Sequence, residues 1–478
     1  MAPLIISISG VRGIVGESLR AEEALNFGMA FGEFLREKVA ADSIRNPLVA
    51  AKPGEAGQSA IRNPKVCIGR DSRPSGAMLA AALSAGLMAV GCDTVDLGIV
   101  TTPGGALMCR FLQADGGVVL TASHNPIAWN GIKFLRADGI AFPADEVTQI
   151  HALYHGKKFT PQDSLHAGQA SADSRTHAVH VDTVLQICDK TLIGSRRFKV
   201  VLDSVNGAGC VVTHQLLSKL GCEIIHLNDR PTGIFAHTPE PTAENLAALG
   251  PVILKHRAAA GFAQDPDADR LALIDEKGAY IGEEYTLALA AKYILGKKPG
   301  RAAANLSTSR MIDDIAAAAG AEVIRTPVGE AHVANAMLAH QCVIGGEGNG
   351  GVIDLRVVPV RDSLVGIALV LQFLAETGKT LSQLVAEIPR YHMIKTKFPC
   401  PLPETKAVLE RVRAYYEKLS LDGSVRLDTR DGLRVDLADG WVQLRASNTE
   451  PIMRIMAEAR NPARANQLAA EMQALAGI

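Results

Sequence analysis

Val66-Cys67-Ile68-Gly69-Arg70-Asp71 is a short apolar run that ends on charge, and Ser72-Arg73-Pro74-Ser75-Gly76 follows it as a polar turn. An Ala- and Leu-rich stretch then leads to Gly91-Cys92, after which Thr94-Val95-Asp96-Leu97-Gly98 reads as a second strand. Strand, turn, helix, glycine stop and strand is the grammar of a layered α/β unit, because two parallel strands need a crossover to bring the chain back to the same end of the sheet.

The same grammar returns twice, at intervals of about a hundred residues. Lys199-Val200-Val201-Leu202-Asp203 leads through Asn206-Gly207-Ala208-Gly209 and a helix to Gly221-Cys222 and Glu223-Ile224-Ile225-His226-Leu227. Ala303-Ala304-Asn305-Leu306 leads through Ser307-Thr308-Ser309-Arg310 and an Ala-rich helix to Gly320 and Glu322-Val323-Ile324-Arg325. The rhythm then changes. Val425–Asp428, Leu433–Leu437 and Trp441–Arg445 alternate apolar with polar, with Asp431-Gly432 and Asp439-Gly440 as hairpin turns. A last helix starts at Asn461-Pro462 and runs to Leu475, an N-cap followed by proline in the first turn. The expected fold class is α/β, with three related mixed-sheet domains in tandem and a smaller C-terminal α+β domain. The divisions fall at 1–160, 161–280, 281–388 and 389–478. The Gly-, Ser- and Pro-rich stretches Ala50–Asn63 and Lys157–Thr176 read as a surface excursion and an interdomain connection.

Composition narrows the function. The 478 residues are 47% hydrophobic and 21% charged, with a net charge of -1, so the basic footprint of a nucleic-acid binder is missing. Eight cysteines lie mostly in apolar runs without a Cys-x-x-Cys pair and read as reduced core residues. No stretch reaches the roughly 20 apolar residues of a membrane span, and Met1–Ile6 has no positive region ahead of its apolar residues. A cytoplasmic enzyme of small molecules, monomer or homodimer, is the expectation.

Chemistry concentrates in four segments. Ser123 lies in Thr121-Ala122-Ser123-His124-Asn125-Pro126, just after Gly117-Val118-Val119-Leu120, where a buried strand breaks into a loop. No Gly-x-Ser-x-Gly elbow surrounds it, and the adjacent His124 is not expected on the serine oxygen, which argues against a Ser-His-acid hydrolase. Asp265-Pro266-Asp267-Ala268-Asp269-Arg270 places three carboxylates at alternate positions, able to converge on one hard cation. An EF-hand is excluded because its sixth place, which needs glycine, holds Arg270, and Leu271–Asp275 reads as strand. Three carboxylates around Mg²⁺ leave negative charge that Arg270, Arg12 or Lys133 would offset. Arg445-Ala446-Ser447-Asn448-Thr449-Glu450-Pro451 offers a guanidinium, hydroxyls, an amide and turn N–H groups to a phosphate, and Gly345-Gly346-Glu347-Gly348-Asn349-Gly350-Gly351 offers an acceptor and an amide to sugar hydroxyls.

This ordered set, one segment per expected domain, resembles the α-D-phosphohexomutase superfamily over essentially the whole chain. The Ser123 segment is similar to its phosphoserine loop, the Asp265 segment to its metal loop, the Glu347 segment to its sugar-binding loop and the Arg445 segment to its phosphate-binding loop. Ser9-Gly10-Val11-Arg12-Gly13, Gly69–Arg73, Asn130-Gly131-Ile132-Lys133-Phe134 and Pro239-Glu240-Pro241 are further matches. The resemblance implies four domains around a central cleft. It also implies a phosphorylated Ser123 whose phosphate completes a Mg²⁺ shell with Asp265, Asp267 and Asp269. Hexose 6-phosphate and hexose 1-phosphate would interconvert through a hexose 1,6-bisphosphate, with Arg12 stabilising charge and Lys133 exchanging the sugar proton. Arg445, Ser447, Asn448 and Thr449 would hold the phosphate that is not reacting, and Glu347 and Asn349 would read ring hydroxyls.

Asn349-Gly350-Gly351 departs from the Ser-(Gly/Ala)-His of many members. With Thr326-Pro327-Val328-Gly329-Glu330 upstream, where Thr326, Gly329 and, in the metal loop, Arg270 are further substrate-binding candidates, the pattern looks more like the archaeal-type phosphoglucosamine mutase branch. Glucosamine phosphate is therefore the expected substrate, with phosphomannomutase or phosphoglucomutase activity as the alternative. A phosphosugar-binding relative without turnover and a metal-dependent phosphatase also stay open. The former has no need of Ser123 and three aspartates, and the latter needs water where the sugar hydroxyl should stand.

Overall fold

Each of the three strand–helix–strand segments forms a parallel pair in the computed structural model, which describes residues 3–7, 10–45, 62–419, 425–447 and 451–477. Lys65–Arg70 pairs with Asp93–Ile99, Lys199–Asp203 with Glu223–Leu227, and Arg301–Asn305 with Glu322–Thr326. The crossover helices are Gly76–Ala89, Gly209–Lys219 and Met311–Ala318. Gly91, Gly221 and Gly320 end them at φ of +82°, +76° and +65°, a backbone region that costs an ordinary side chain about 1–2 kcal/mol.

The chain gathers into two compact units: Met1–Gly282 with Ile353–Gly378, and Glu283–Val352 with Lys379–Ile478. The first contains two mixed sheets. One has seven strands in the order Ile5–Ser7, Gly10–Ile14, Trp129–Arg136, Gly116–Leu120, Lys65–Arg70, Asp93–Ile99 and Ala170–Ala172. The other has four, in the order Leu271–Ile274, Ala260–Gln264, Lys199–Asp203 and Glu223–Leu227. Their central strands are buried on both faces, as helix-covered parallel strands must be. The stretch Lys157–Thr176 is a connection that also adds Ala170–Ala172 in parallel to the edge strand Asp93–Ile99. Helix Ser363–Thr377, apolar almost all round and buried, belongs to this unit although its chain neighbours on both sides belong to the other.

The second unit holds a four-stranded sheet, in the order Glu322–Thr326, Arg301–Asn305, Ile344–Glu347 and Gly351–Ile353, whose last residue passes into the first unit. It also holds an antiparallel five-stranded sheet, in the order His392–Pro399, Ile452–Ala459, Gly440–Ala446, Leu433–Asp436 and Arg426–Asp428. The predicted hairpins close as expected, with Arg426 opposite Asp436 and Asp436 opposite Trp441. Asn461 caps the last helix, its side chain accepting from the Arg464 N–H, with Pro462 in the first turn. Ser9, most of the excursion Ala50–Asn63, and Asn448 and Thr449 lie outside the described residues.

Helices Ala21–Arg45 and Gly76–Ala89 meet backbone to backbone. A Cβ on Gly28 would stand 2.4 Å from the Leu83 carbonyl oxygen, and one on Gly86 2.1 Å from that of Leu25. Replacing a mid-helix glycine by alanine gains up to about 1 kcal/mol of propensity, whereas overpacking costs about 1–3 kcal/mol or more, so the clash wins. Gly86→Ala is expected to lower stability by roughly 2 kcal/mol in urea denaturation, against the sign that helix propensity alone predicts.

Candidate active site

Asp71, Ser123 and Asp265 each lie just beyond the carboxyl end of a parallel strand, the rim where α/β sheets present their loops. Gly116–Leu120 is wholly buried, and the chain leaves it through Thr121-Ala122 to Ser123, which is 2% exposed and holds φ +48°. A serine keeps that left-handed backbone only where its surroundings fix it. Its Oγ donates to Asp265 Oδ2 at 2.7 Å, joining two segments 142 residues apart in sequence. His124 Nδ1 stands 3.4 Å from the same Oγ, nearer than the sequence reading expected. Burial first, then the fields of Arg270 and Arg12, push this imidazole down to about 2, too weak a base to draw the serine proton at neutral pH.

Asp265, Asp267 and Asp269 converge as expected, each buried and each with a carboxylate oxygen within 4.8 Å of the others. Lys133 Nζ donates to Asp267 Oδ2 at 2.7 Å and stands 3.6 Å from Asp269 Oδ2, while Arg361 donates to that Asp269 oxygen at 2.6 Å. Thr102 Oγ1 donates to Asp267 Oδ2 at 2.6 Å. The second oxygens, Asp267 Oδ1 and Asp269 Oδ1, are buried without a hydrogen-bond partner among the described residues. Each of these two acids therefore ties one oxygen to a cation and keeps the other without a hydrogen bond, with Arg270 Nε 3.8 Å from that of Asp269. That donor set fits a hard, oxygen-preferring divalent ion such as Mg²⁺, with Ser123 Oγ beside it.

Electrostatics at the cluster follow from burial and neighbours. Asp265 is pushed well above the usual carboxylate range by burial and then by Asp267 and Asp269. Burial pushes Asp267 the same way, but the Lys133 ammonium and the hydrogen bonds it receives more than offset this and hold it below that range. Of the offsetting cations read from sequence, Lys133 pairs directly, and Arg270 Nε stands 3.8 Å from Asp269 while its backbone N–H reaches Asp265 Oδ1 at 3.2 Å. Arg12 donates to Asn125 Oδ1 at 3.3 Å, and burial lowers its guanidinium somewhat against the pull of Asp267.

Sequence reasoning missed Arg361 and the group around it. Asp362 caps helix Ser363–Thr377 and meets the buried His180 Nε2 at 2.7 Å, and Ser363 Oγ donates to the Ala268 carbonyl at 2.6 Å. The helix start was visible as Asp-Ser before an apolar run. Its approach to residues 268 and 269 was not, because nothing local encodes a contact across some 90 residues.

In the second unit, Thr326 ends its strand and Gly329, at φ +132°, caps helix Glu330–His340 while donating its N–H to Glu347 Oε1 at 3.1 Å. Asn305 donates to the same oxygen at 2.7 Å, and Asn349 Nδ2 approaches Glu347 Oε2 at 3.5 Å. Asp431 bridges the Val328 N–H, at 3.0 Å, and Arg445 Nε, at 3.2 Å, so the loop 326–329 and the Arg445 strand end are drawn together. Ser447 follows that strand, buried. Glu284, unremarked in the sequence, lies under the glycine-rich turn: a Cβ on Gly348 would fall 1.9 Å from its Oε2. Burial, partly countered by Lys395, pushes Glu284 up to about 7.

Sequence profiles of phosphoglucomutase/phosphomannomutase α/β/α domains I, II and III match residues 35–161, 178–278 and 282–391, and that of the C-terminal domain matches 397–475. A phosphoglucomutase/phosphomannomutase of Thermococcus kodakarensis is 37% identical over 460 residues, covering 96% of this chain and 95% of its own. A probable phosphoglucosamine mutase of Methanopyrus kandleri is 38% identical over 466 residues, covering 96% and 95%. Among solved structures, a phosphoglucomutase/phosphomannomutase family protein of Burkholderia thailandensis superposes with a TM-score of 0.83 at 26% identity, covering 98% of this chain and 96% of that one.

The carboxylate geometry leads to a direct expectation. Asp267→Asn removes a charge and leaves Lys133 competing for the cluster, so Mg²⁺ affinity is expected to fall by roughly 10- to 100-fold. Isothermal titration of Mg²⁺ into wild type and variant measures this, and superimposable isotherms would remove Asp267 from the ligand set.

Proposed function

This chain belongs to the phosphoglucomutase/phosphomannomutase family of the α-D-phosphohexomutases, mutases that are phosphotransferases of the isomerase class, and we propose that it interconverts hexose 6-phosphate and hexose 1-phosphate through phosphorylated Ser123. The observation that carries this reading is the 2.7 Å contact of Ser123 Oγ with Asp265, one of a buried triad of carboxylates in which Asp267 and Asp269 each keep an oxygen without a hydrogen bond. A hydroxyl fixed beside an oxygen-lined cation site is what a serine phosphoryl carrier requires, because phosphoryl transfer is catalysed by positioning and charge neutralisation more than by covalent help.

Mg²⁺ bound by Asp265, Asp267 and Asp269 would supply that neutralisation. In the forward step a sugar hydroxyl attacks the phosphorus on Ser123, the P–Oγ bond breaks, and the sugar becomes the 1,6-bisphosphate. After the sugar has turned, Ser123 Oγ attacks the other phosphorus, the bond from that phosphorus to the sugar oxygen breaks, and the isomerised monophosphate leaves. Lys133, tethered between Asp267 and Asp269, exchanges the proton with the sugar oxygen in each direction. Arg12 and Arg270 hold the transferring phosphate against repulsion from the acidic cluster. Glu347 and Asn349 read ring hydroxyls, and Arg445 with Ser447, Asn448 and Thr449 holds the distal phosphate. A phosphate-binding site indifferent to which end of the sugar it receives is what lets one centre serve both transfers. Eight free thiols and the hexose phosphate substrate fit a cytoplasmic setting.

Glucosamine phosphate is the proposed substrate, supported by the Asn349-Gly350-Gly351 turn and by the name of the Methanopyrus kandleri relative. Relative kcat/KM for glucosamine, glucose and mannose 1-phosphates tests it, with glucosamine expected first and a strong mannose preference refuting it. Ser123→Ala is expected to abolish turnover while shifting stability by only about 1 kcal/mol, the size of one lost hydrogen bond. Intact mass after incubation with glucose 1,6-bisphosphate should show one added phosphate on wild type and none on the variant. Consumption of the bisphosphate without activation of isomerisation would instead mark a phosphatase.

A further inference from the structure

Arg73 is the second-largest fully buried side chain among the described residues, yet it carries a full charge and lies outside the acidic cluster. All five of its guanidinium N–H groups have acceptors. Nε donates to Asp71 Oδ2 at 3.0 Å, one terminal nitrogen to the Pro126 and Trp129 carbonyls at 2.7 and 3.0 Å, and the other to the Ser123 and Asn125 carbonyls, both at 2.7 Å. Three of the five bonds thus end on the backbone of the loop that presents Ser123, and a fourth on Trp129, where that loop enters its next strand. The Phe235 ring covers the guanidinium, its centroid 4.9 Å from Cζ.

Asp71, itself fully buried, closes the arrangement from the other side. It accepts the Thr121 hydroxyl proton at 2.7 Å, and Thr121 Oγ1 in turn accepts the Ser123 N–H at 2.9 Å. Both peptide groups of Ser123 are therefore tied to one ion pair, its C=O directly through Arg73 and its N–H through Thr121 and Asp71. These ties bracket the residue whose φ of +48° is unfavourable for serine by roughly 1 kcal/mol or more. Without them the backbone gains by relaxing to negative φ, which swings Oγ away from Asp265.

We propose that the Asp71–Arg73 pair, with Thr121 as its relay, is the positioning device that holds Ser123 in its left-handed conformation and so aims Oγ at the acidic cluster. The inference rests on Ser123 being the phosphoryl carrier. Arg73 is a positioning residue: it touches the loop backbone, not the reacting atoms. Lysine cannot replace it, because one ammonium offers three donors from a single point where five fixed directions are needed. A misplaced nucleophile by about an ångström costs on the order of 100-fold in rate, while groups that bind the sugar and its distal phosphate keep their places.

The test uses the full chain with Mg²⁺ and glucose 1-phosphate. Arg73→Lys keeps the charge opposite Asp71 and is expected to lower kcat about 100-fold with KM changed less than about threefold. Thr121→Val keeps the side-chain volume, removes only the relay, and is expected to lower kcat about 10-fold at unchanged KM. The rate at which glucose 1,6-bisphosphate phosphorylates Ser123, followed by intact mass, should fall in step with kcat in both variants. Wild-type kcat in Thr121→Val, or losses in both variants that vanish on correction for the folded fraction, would overturn the inference while leaving a phosphorylatable wild-type Ser123 in place. If wild-type Ser123 itself takes up no phosphate, the carrier assignment fails first and the inference falls with it.

Discussion

Confining three carboxylates to one buried spot is the constraint around which the first unit is arranged. Like charges within 4.8 Å of one another repel by about 3.5 kcal/mol or more per pair even at an effective dielectric of about 20. The fold meets this with cations drawn from distant parts of the chain: Lys133 from a strand of the first sheet, and Arg361 from the turn before helix Ser363–Thr377. Lys133 and Arg361 each bond one carboxylate oxygen and leave the second oxygens of Asp267 and Asp269 without hydrogen bonds, so the cluster is partly neutralised without being closed to a metal.

That requirement explains why Ile353–Gly378 belongs to the first unit although the chain on either side of it does not. The helix brings an apolar body that a core can bury and, at its N-terminal end, Arg361 and Ser363, which grip the Asp269 side chain and the Ala268 carbonyl. The His180–Asp362 pair fixes the same corner from helix Thr176–Leu185. The nucleophile loop is held by an equally buried ion pair. There every guanidinium N–H of Arg73 has an acceptor, which is the condition under which burying such a charge is tolerable.

Much of the architecture was legible because strands and crossover helices announce themselves locally. The runs at 66–71, 199–203 and 303–306 read as strands, and each following helix ended on a glycine that takes positive φ. Asp431-Gly432, Asp439-Gly440 and Asn461-Pro462 marked turns and a cap whose chemistry is carried by adjacent residues. Ser123 and the three aspartates were legible for a related reason: each group lies within one short segment at a strand end. Arg73 and Arg361 were quoted or passed over as ordinary motif and turn residues, since their partners lie some 50 and 92 positions away. The proximity of His124 to Ser123 Oγ was misjudged because it depends on the left-handed backbone at Ser123, which the neighbouring sequence does not specify.

The sequence by itself determined which segments become strands, which turns carry hydroxyls and carboxylates, and that serine and metal-binding chemistry occur in one chain, since all of these depend on periodicity and residue type within a few positions. Only the tertiary structure decided which cation faces which carboxylate, which carboxylate oxygens stay bare, and what holds the serine backbone in a conformation it would not choose alone. Those outcomes arise from contacts between segments dozens to hundreds of residues apart, whose energies depend on burial and distance, quantities that exist only once the sheets have packed.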